Sequence, residues 1–144
     1  MNIRFEDRGA FHVSGFSVES NESSHEKDIA LLRYKHEDNL KAIAEKDSGL
    51  YFVTWLTGED TYIYHFGIEG QDQNLADIIG VEVPAGCFAV ATVPAEMPLL
   101  EAWGKLFEID LLPLGYNHDP NAGKYFEFHN NSGVEIWIPV RVKL

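Results

Sequence analysis

Cysteine occurs once in the 144 residues, at Cys87, so no disulfide can form within the chain. That suits a reducing compartment, and with no ligand cluster beside it Cys87 reads as a small core residue of a strand. Positive charge is also scarce: 11 Lys and Arg stand against 23 Asp and Glu, for a formal net charge of −12. Such a surface repels nucleic-acid backbones and attracts cations, so direct nucleic-acid binding is not expected. Long apolar runs are missing too. The start "MNIRFEDRGAFHV" lacks the apolar stretch of a signal peptide, and nothing later is long enough to span a bilayer. The expected location is the cytoplasm, without membrane contact. There is no GxSxG, no Ser–His–Asp order and no HxxxH pair, so no catalytic residue, metal ligand or cofactor is expected.

Hydrophobic residues make up 45% of the chain, enough for one domain with a real core. Residues 2–6 and 10–19 read as strand. "SNESSHEKD" follows, and Ser23 with Glu26 fits a capping box. Ile29, Leu32, His36, Leu40 and Ile43 then recur at near-helical spacing, predicting a helix from about 25 to 46, ended by the "DSG" of 47–49. "LYFVTWLTGEDTYIYHFGIEG" reads as a hairpin turning at "TGED". After "QDQNLADIIG" the order repeats: "VEVPAGCFAVATV" as a strand, "PLLEAWGKLFEID" as a helix, and a closing hairpin in "KYFEFHNNSGVEIWIPVRVKL". Half-repeats of about 1–70 and 80–144 predict an α+β fold with pseudo-twofold symmetry: one antiparallel sheet, both helices on one face, in a single domain over 1–144. The seam between the halves is then a natural cleft for a small molecule.

Alternation nominates residues for that cleft. A first-hairpin turn at 57–60 sets Trp55 against Tyr62, Val53 against Tyr64 and Tyr51 against Phe66, all on one aromatic-rich face. A second turn over Asn130–Gly133 puts Tyr125, Glu127 and His129 on the same face as Val134, Ile136, Ile138 and Val140. Glu127 is then a carboxylate among aliphatic side chains, and a buried charge needs a partner. Trp103 and Phe107, one helical turn apart, face it. Each aromatic alone is consistent with ordinary core. Aromatics around one carboxylate are a more specific combination, because ring faces attract cations and the carboxylate supplies the counter-charge. The candidate ligand-binding residues are Glu127, Trp103, Phe107, Tyr64 and Tyr51. The alternative for Glu127 is an internal partner, a Tyr hydroxyl or His118. His118 and Asp119 otherwise read as a solvated loop.

The segments "VPAGCFAVATVPA", "LLEAWGKLF", "LLPLGY", "YFEFH" and "VEIWIPV" occur in the order and spacing of the gyrase-inhibitor-like effector-binding domains, which include the ligand-sensing domains of AraC-type and MerR-type multidrug regulators. The chain resembles that family over essentially its whole length, and "YIYHFGIEG" is similar to the family's first hairpin. The resemblance implies a pocket for bulky cationic aromatic compounds. It implies that Glu127 is the buried counter-charge, Trp103 the stacking aromatic of the helix and Tyr64 the hairpin aromatic. The chain departs at "LLPLGY", where many relatives carry a Trp before "LP". The regulators also carry a helix-turn-helix, for which 144 residues leave no room, so a stand-alone module without a DNA-binding domain is expected.

The reading favoured is therefore a non-enzymatic binding module for cationic or amphipathic aromatic molecules. Two alternatives come with the resemblance: a protein-interaction factor acting on DNA gyrase or beside a separate regulator, and a small-molecule hydrolase. Phe126, Phe128 and Trp137 fall opposite Glu127, on a face the helices should not cover, and predict a homodimer interface there. If the faces are reversed, Trp137 belongs to the pocket instead.

Overall fold

Only Gly9 and Ala10 separate strand β1 (Ile3–Arg8) from β2 (Phe11–Asn21), and only Pro84 and Ala85 separate β5 (Ile79–Val83) from β6 (Gly86–Thr92). A computed structural model describes residues 1–44, 49–70, 77–119 and 123–142. The remaining elements are α1 (His25–Ile43), β3 (Leu50–Leu56), β4 (Thr61–Glu69), α2 (Leu99–Glu108), a 3₁₀ turn (Leu112–Leu114), β7 (Tyr116–His118), β8 (Tyr125–Asn130) and β9 (Gly133–Val142). Among the described residues, nine strands form one sheet in the order β1-β6-β9-β8-β3-β4-β2-β5, with β7 also paired to β9. All of these pairings are antiparallel.

Neither short link joins neighbouring strands: five strands lie between β1 and β2, and five between β5 and β6. In a flat sheet each pair would stand about 29 Å apart, but a two-residue link reaches only about 11 Å. The sheet must therefore curl until its ends approach. Arg8, at the end of β1, reaches the hydroxyl of Tyr51 on β3 (3.2 Å) and the carboxylate of Glu69 on β4 (2.7 Å). The chain expected as one strand, "VEVPAGCFAVATV", is split at Pro84, with β5 joining β2 at one end of the sheet and β6 joining β1 at the other.

The curl encloses a core of its own. Phe126 and Trp137 stack at 5.2 Å, Phe11 and Phe88 meet the Phe126 ring edge-on, and Phe128 packs beside them. The guanidinium of Arg8 lies 3.8 Å from the Phe11 ring centroid. Gly15 pairs directly with Gly67, and a Cβ on Gly15 would collide with the Phe66 carbonyl, so only glycine lets these strands close up here. His65, fully buried on this side, has both ring nitrogens engaged by Ser17 Oγ (2.6 Å) and the Val13 carbonyl (2.9 Å). The expectation that Phe126, Phe128 and Trp137 form an exposed interface is thus corrected. Phe126 is 0% and Trp137 5% exposed, because the sheet wraps around them, and the homodimer loses its motive.

The outer face carries both helices, as expected. Leu32 and Leu40 of α1 pack on Phe52, Phe66 and Ile68, while Ala102 and Leu106 of α2 pack on Ala89, Ile136 and Ile138. The order strand–helix–hairpin occurs in both halves, as β2-α1-β3-β4 and β6-α2-β8-β9, and the two hairpins meet where β3 pairs with β8. The capping box does not form. Ser24 rather than Ser23 is at the N-cap, Asn21 Oδ1 accepts both their backbone N–H groups, and the Asp28 carboxylate takes the hydroxyls of Ser20 and Ser24. The expected helix end at 45–46 and most of the stop signal at 47–49 lie outside the described residues.

Removing the Phe126 ring should leave a cavity that the curl cannot collapse. Phe126→Ala is expected to lower the unfolding free energy by about 3–5 kcal/mol in urea, and a loss below about 1 kcal/mol would contradict this packing. Tyr51 gives a pH signature. Burial, then the hydrogen bond and charge of Glu69, outweigh the opposing Arg8 and raise its phenol from 10.0 to about 12. Its contribution to stability is complete below the unfolded value and is lost as pH rises from about 10 to 12. Ultraviolet titration should show Tyr51 as the last of the six tyrosines to ionise, at about pH 12. Ionisation of all near pH 10 with the fold intact would refute it.

Candidate functional site

Residues paired directly across antiparallel strands share a face. On the helix side one such row runs Phe16, Phe66, Phe52, Glu127, Ile136, Ala91 and Ile3, across seven strands. Glu127 is its single charged member, and it sits at the β3–β8 seam. The expected second-hairpin register is the one found: His129 pairs with Val134 and Glu127 with Ile136, through a two-residue turn at Asn131 and Ser132. Gly133, which follows, takes a φ of +127°, open to glycine and strained for other residues.

Among the described residues the carboxylate has two internal partners, neither of them the expected Tyr hydroxyl or His118. Trp103, on α2, donates its indole N–H to Oε2 at 2.6 Å. His129, two residues along the strand, places Nε2 2.8 Å from Oε1. His118 instead stacks on Phe107 at 6.0 Å. These contacts occupy about half of the four lone-pair positions a carboxylate offers. The Glu127 side chain remains 15% exposed, so it is reachable from the seam.

Aromatic rings surround it. Trp103 stacks on Phe107 at 5.8 Å, and Phe107 meets Tyr125 at 5.9 Å while remaining half exposed. Tyr64, on β4, is held above the ordinary phenol value by burial, then by Tyr62 and the charge of Glu127. Tyr125 is raised likewise by burial and Asp119. On the α1 side the guanidinium of Arg33 lies 5.9 Å from the Phe52 ring, with its charge already met by Glu37.

Four of the five nominated residues therefore share this side of the sheet: Glu127, Trp103, Phe107 and Tyr64. Tyr51 does not. The first hairpin closes on a Thr57–Thr61 pair around 58–60, so Tyr51 faces Gly67, Phe52 faces Phe66 and Thr54 faces Tyr64. That one-residue slip from the expected register turns Tyr51, Val53 and Trp55 into the curl. Trp137 also lies there, so the face carrying Glu127 is not reversed. His129 was not nominated, although its place two residues after Glu127 put it on the same face.

A cavity of about 60 Å³ under the β5–β6 link, lined by Val83, Phe88, Asp119 and Lys124 among others, does not reach Glu127 and holds no more than a water or two. Among the described residues, no cluster of three or more His, Cys, Asp or Glu is placed to hold a metal, and no helix is long and apolar enough to cross a membrane.

Comparison with curated proteins gives no match. Solved structures share the fold. The integron cassette protein Cass2 from the mobile metagenome of Vibrio cholerae superposes with a TM-score of 0.73 at 17% identity, over 96% of this chain and 95% of that one. A protein named SAV2435, solved bound to tetraphenylphosphonium, gives 0.79 at 13% identity over 98% and 94%. A putative transcription regulation protein from Staphylococcus aureus gives 0.74 at 13% identity over 98% and 99%. At these identities the likeness establishes the fold alone. The family model of Cass2, described as an integron-associated effector binding protein, matches residues 4–140. With that match over nearly its whole length, the chain belongs to the integron-associated effector-binding family.

Proposed function

We propose that this chain is a binding module for bulky organic cations bearing aromatic rings. The ligand sits at the β3–β8 seam between α1 and α2, with Glu127 as counter-charge and Trp103, Phe107 and Tyr64 as ring partners. The observation that carries the reading is one carboxylate in an otherwise apolar row seven residues wide, walled by aromatic side chains and still reachable. Ring faces attract a desolvated cation, and a nearby carboxylate selects charge over shape. Membership of an effector-binding family supports it, as does a structural neighbour that holds tetraphenylphosphonium. The net charge of −12 adds long-range attraction for a cation. Trp103 has two tasks in this site. Its N–H fixes the carboxylate, and its ring, stacked with Phe107, extends the aromatic wall. Tyr51 has no part in it.

Charge selectivity tests the role of Glu127. Glu127→Gln keeps the shape and removes the charge, so it should weaken tetraphenylphosphonium roughly tenfold or more, about 1.4 kcal/mol, while sparing the neutral triphenylphosphine oxide. Equal losses for both ligands, or none for either, would mean that Glu127 is structural. For Trp103, replacement by Ala should cost the cation about 1–2 kcal/mol, measured by calorimetry. Wild-type affinity in Trp103→Ala would place that indole outside the site.

A further inference from the structure

The carboxylate that attracts a ligand cation already touches a group that can itself become a cation. His129 Nε2 lies 2.8 Å from Glu127 Oε1, its side chain is 12% exposed, and its ring meets the Phe52 ring edge-on at 5.4 Å. We propose that His129 is the resident counter-ion of Glu127 and gates the seam by proton exchange: protonated it neutralises the carboxylate, and an organic cation enters as the imidazolium releases its proton to solvent. This rests on the cation-site reading above.

The two states differ in one proton. Neutral His129 still donates one N–H to Oε1, so Glu127 stays oriented between that bond and Trp103 but keeps its full negative charge. Protonated His129 forms an ion pair in a partly desolvated place, where like charges repel strongly. A second cation at the same carboxylate then meets an imidazolium. Among the described residues, no other group facing the carboxylate matches this role. On α2 the partner is the uncharged Trp103, on β4 it is Tyr64, held neutral, and on β9 the facing Ile136 is apolar. From α1, Arg33 over Phe52 carries a fixed charge already paired with Glu37.

Tetraphenylphosphonium, which has no titratable proton, is the probe. Titration calorimetry from pH 5.5 to 8.5, in two buffers of different ionisation enthalpy, reads affinity and proton release together. For the wild type, affinity should fall roughly tenfold between pH 7.5 and 5.5, with close to one proton released at the acidic end. His129→Gln keeps an amide donor and cannot titrate, so its affinity should be flat over that range. Binding by the wild type without pH dependence or proton release would overturn the gate alone. Wild-type pH dependence persisting in His129→Gln would assign the proton to Glu127 and overturn it as well. The proton count uses only the unaltered protein, so a count near zero overturns the gate even if the variant folds poorly. No binding at any pH would overturn the cation-site reading and the gate with it.

Discussion

Two links of two residues each, Gly9–Ala10 and Pro84–Ala85, hold opposite ends of the sheet within reach of one another. The curl they enforce buries most of the aromatic residues of one face of the sheet. Phe11, Tyr51, Phe126 and Trp137 fill the interior, and Arg8 lies over their rings with its charge met by Glu69. An arginine in that place serves twice, as an apolar stem closing the gap and as a cation on ring faces. The outer face is left for the helices. Each helix packs on its own half, and the strip where the hairpins meet lies between the two clusters.

Glu127 stands on that strip. Burying a carboxylate among Phe52 and Ile136 is costly, and the two donors that offset the cost, Trp103 and His129, leave part of its hydrogen-bonding capacity unused. A residue kept only for stability would be better replaced by an apolar one of similar volume. The remaining capacity, the half-exposed Phe107 and the stacked Trp103 are what the proposed site for a charged aromatic guest rests on.

Much of this was legible in the sequence, and the failures have physical causes. The second hairpin could be registered because a two-residue turn leaves little freedom, and from it followed the face and burial of Glu127. The first could not. "TGED" accommodates a loop closing on Thr57–Thr61 as readily as one of four residues, and the odd loop turned Tyr51 away from Tyr64. The curl was invisible locally, since it depends on strand order, and so Phe126 and Trp137 looked exposed. Pro84 was a local sign that "VEVPAGCFAVATV" breaks, since proline withholds a ladder donor. That Trp103 presents its N–H edge to Glu127 depends on a rotamer no periodicity reveals.

The three tryptophans stand in three settings: Trp103 bonded to Glu127 on the helix side, Trp137 inside the curl beside Glu135, and Trp55 near Lys124. The most direct test of where a ligand binds is the set of indole N–H resonances in a nitrogen-edited NMR spectrum during titration with tetraphenylphosphonium. The Trp103 signal should move saturably while those of Trp137 and Trp55 stay in place. A saturable shift of Trp137 with Trp103 unmoved would put the ligand in the curl and contradict the site.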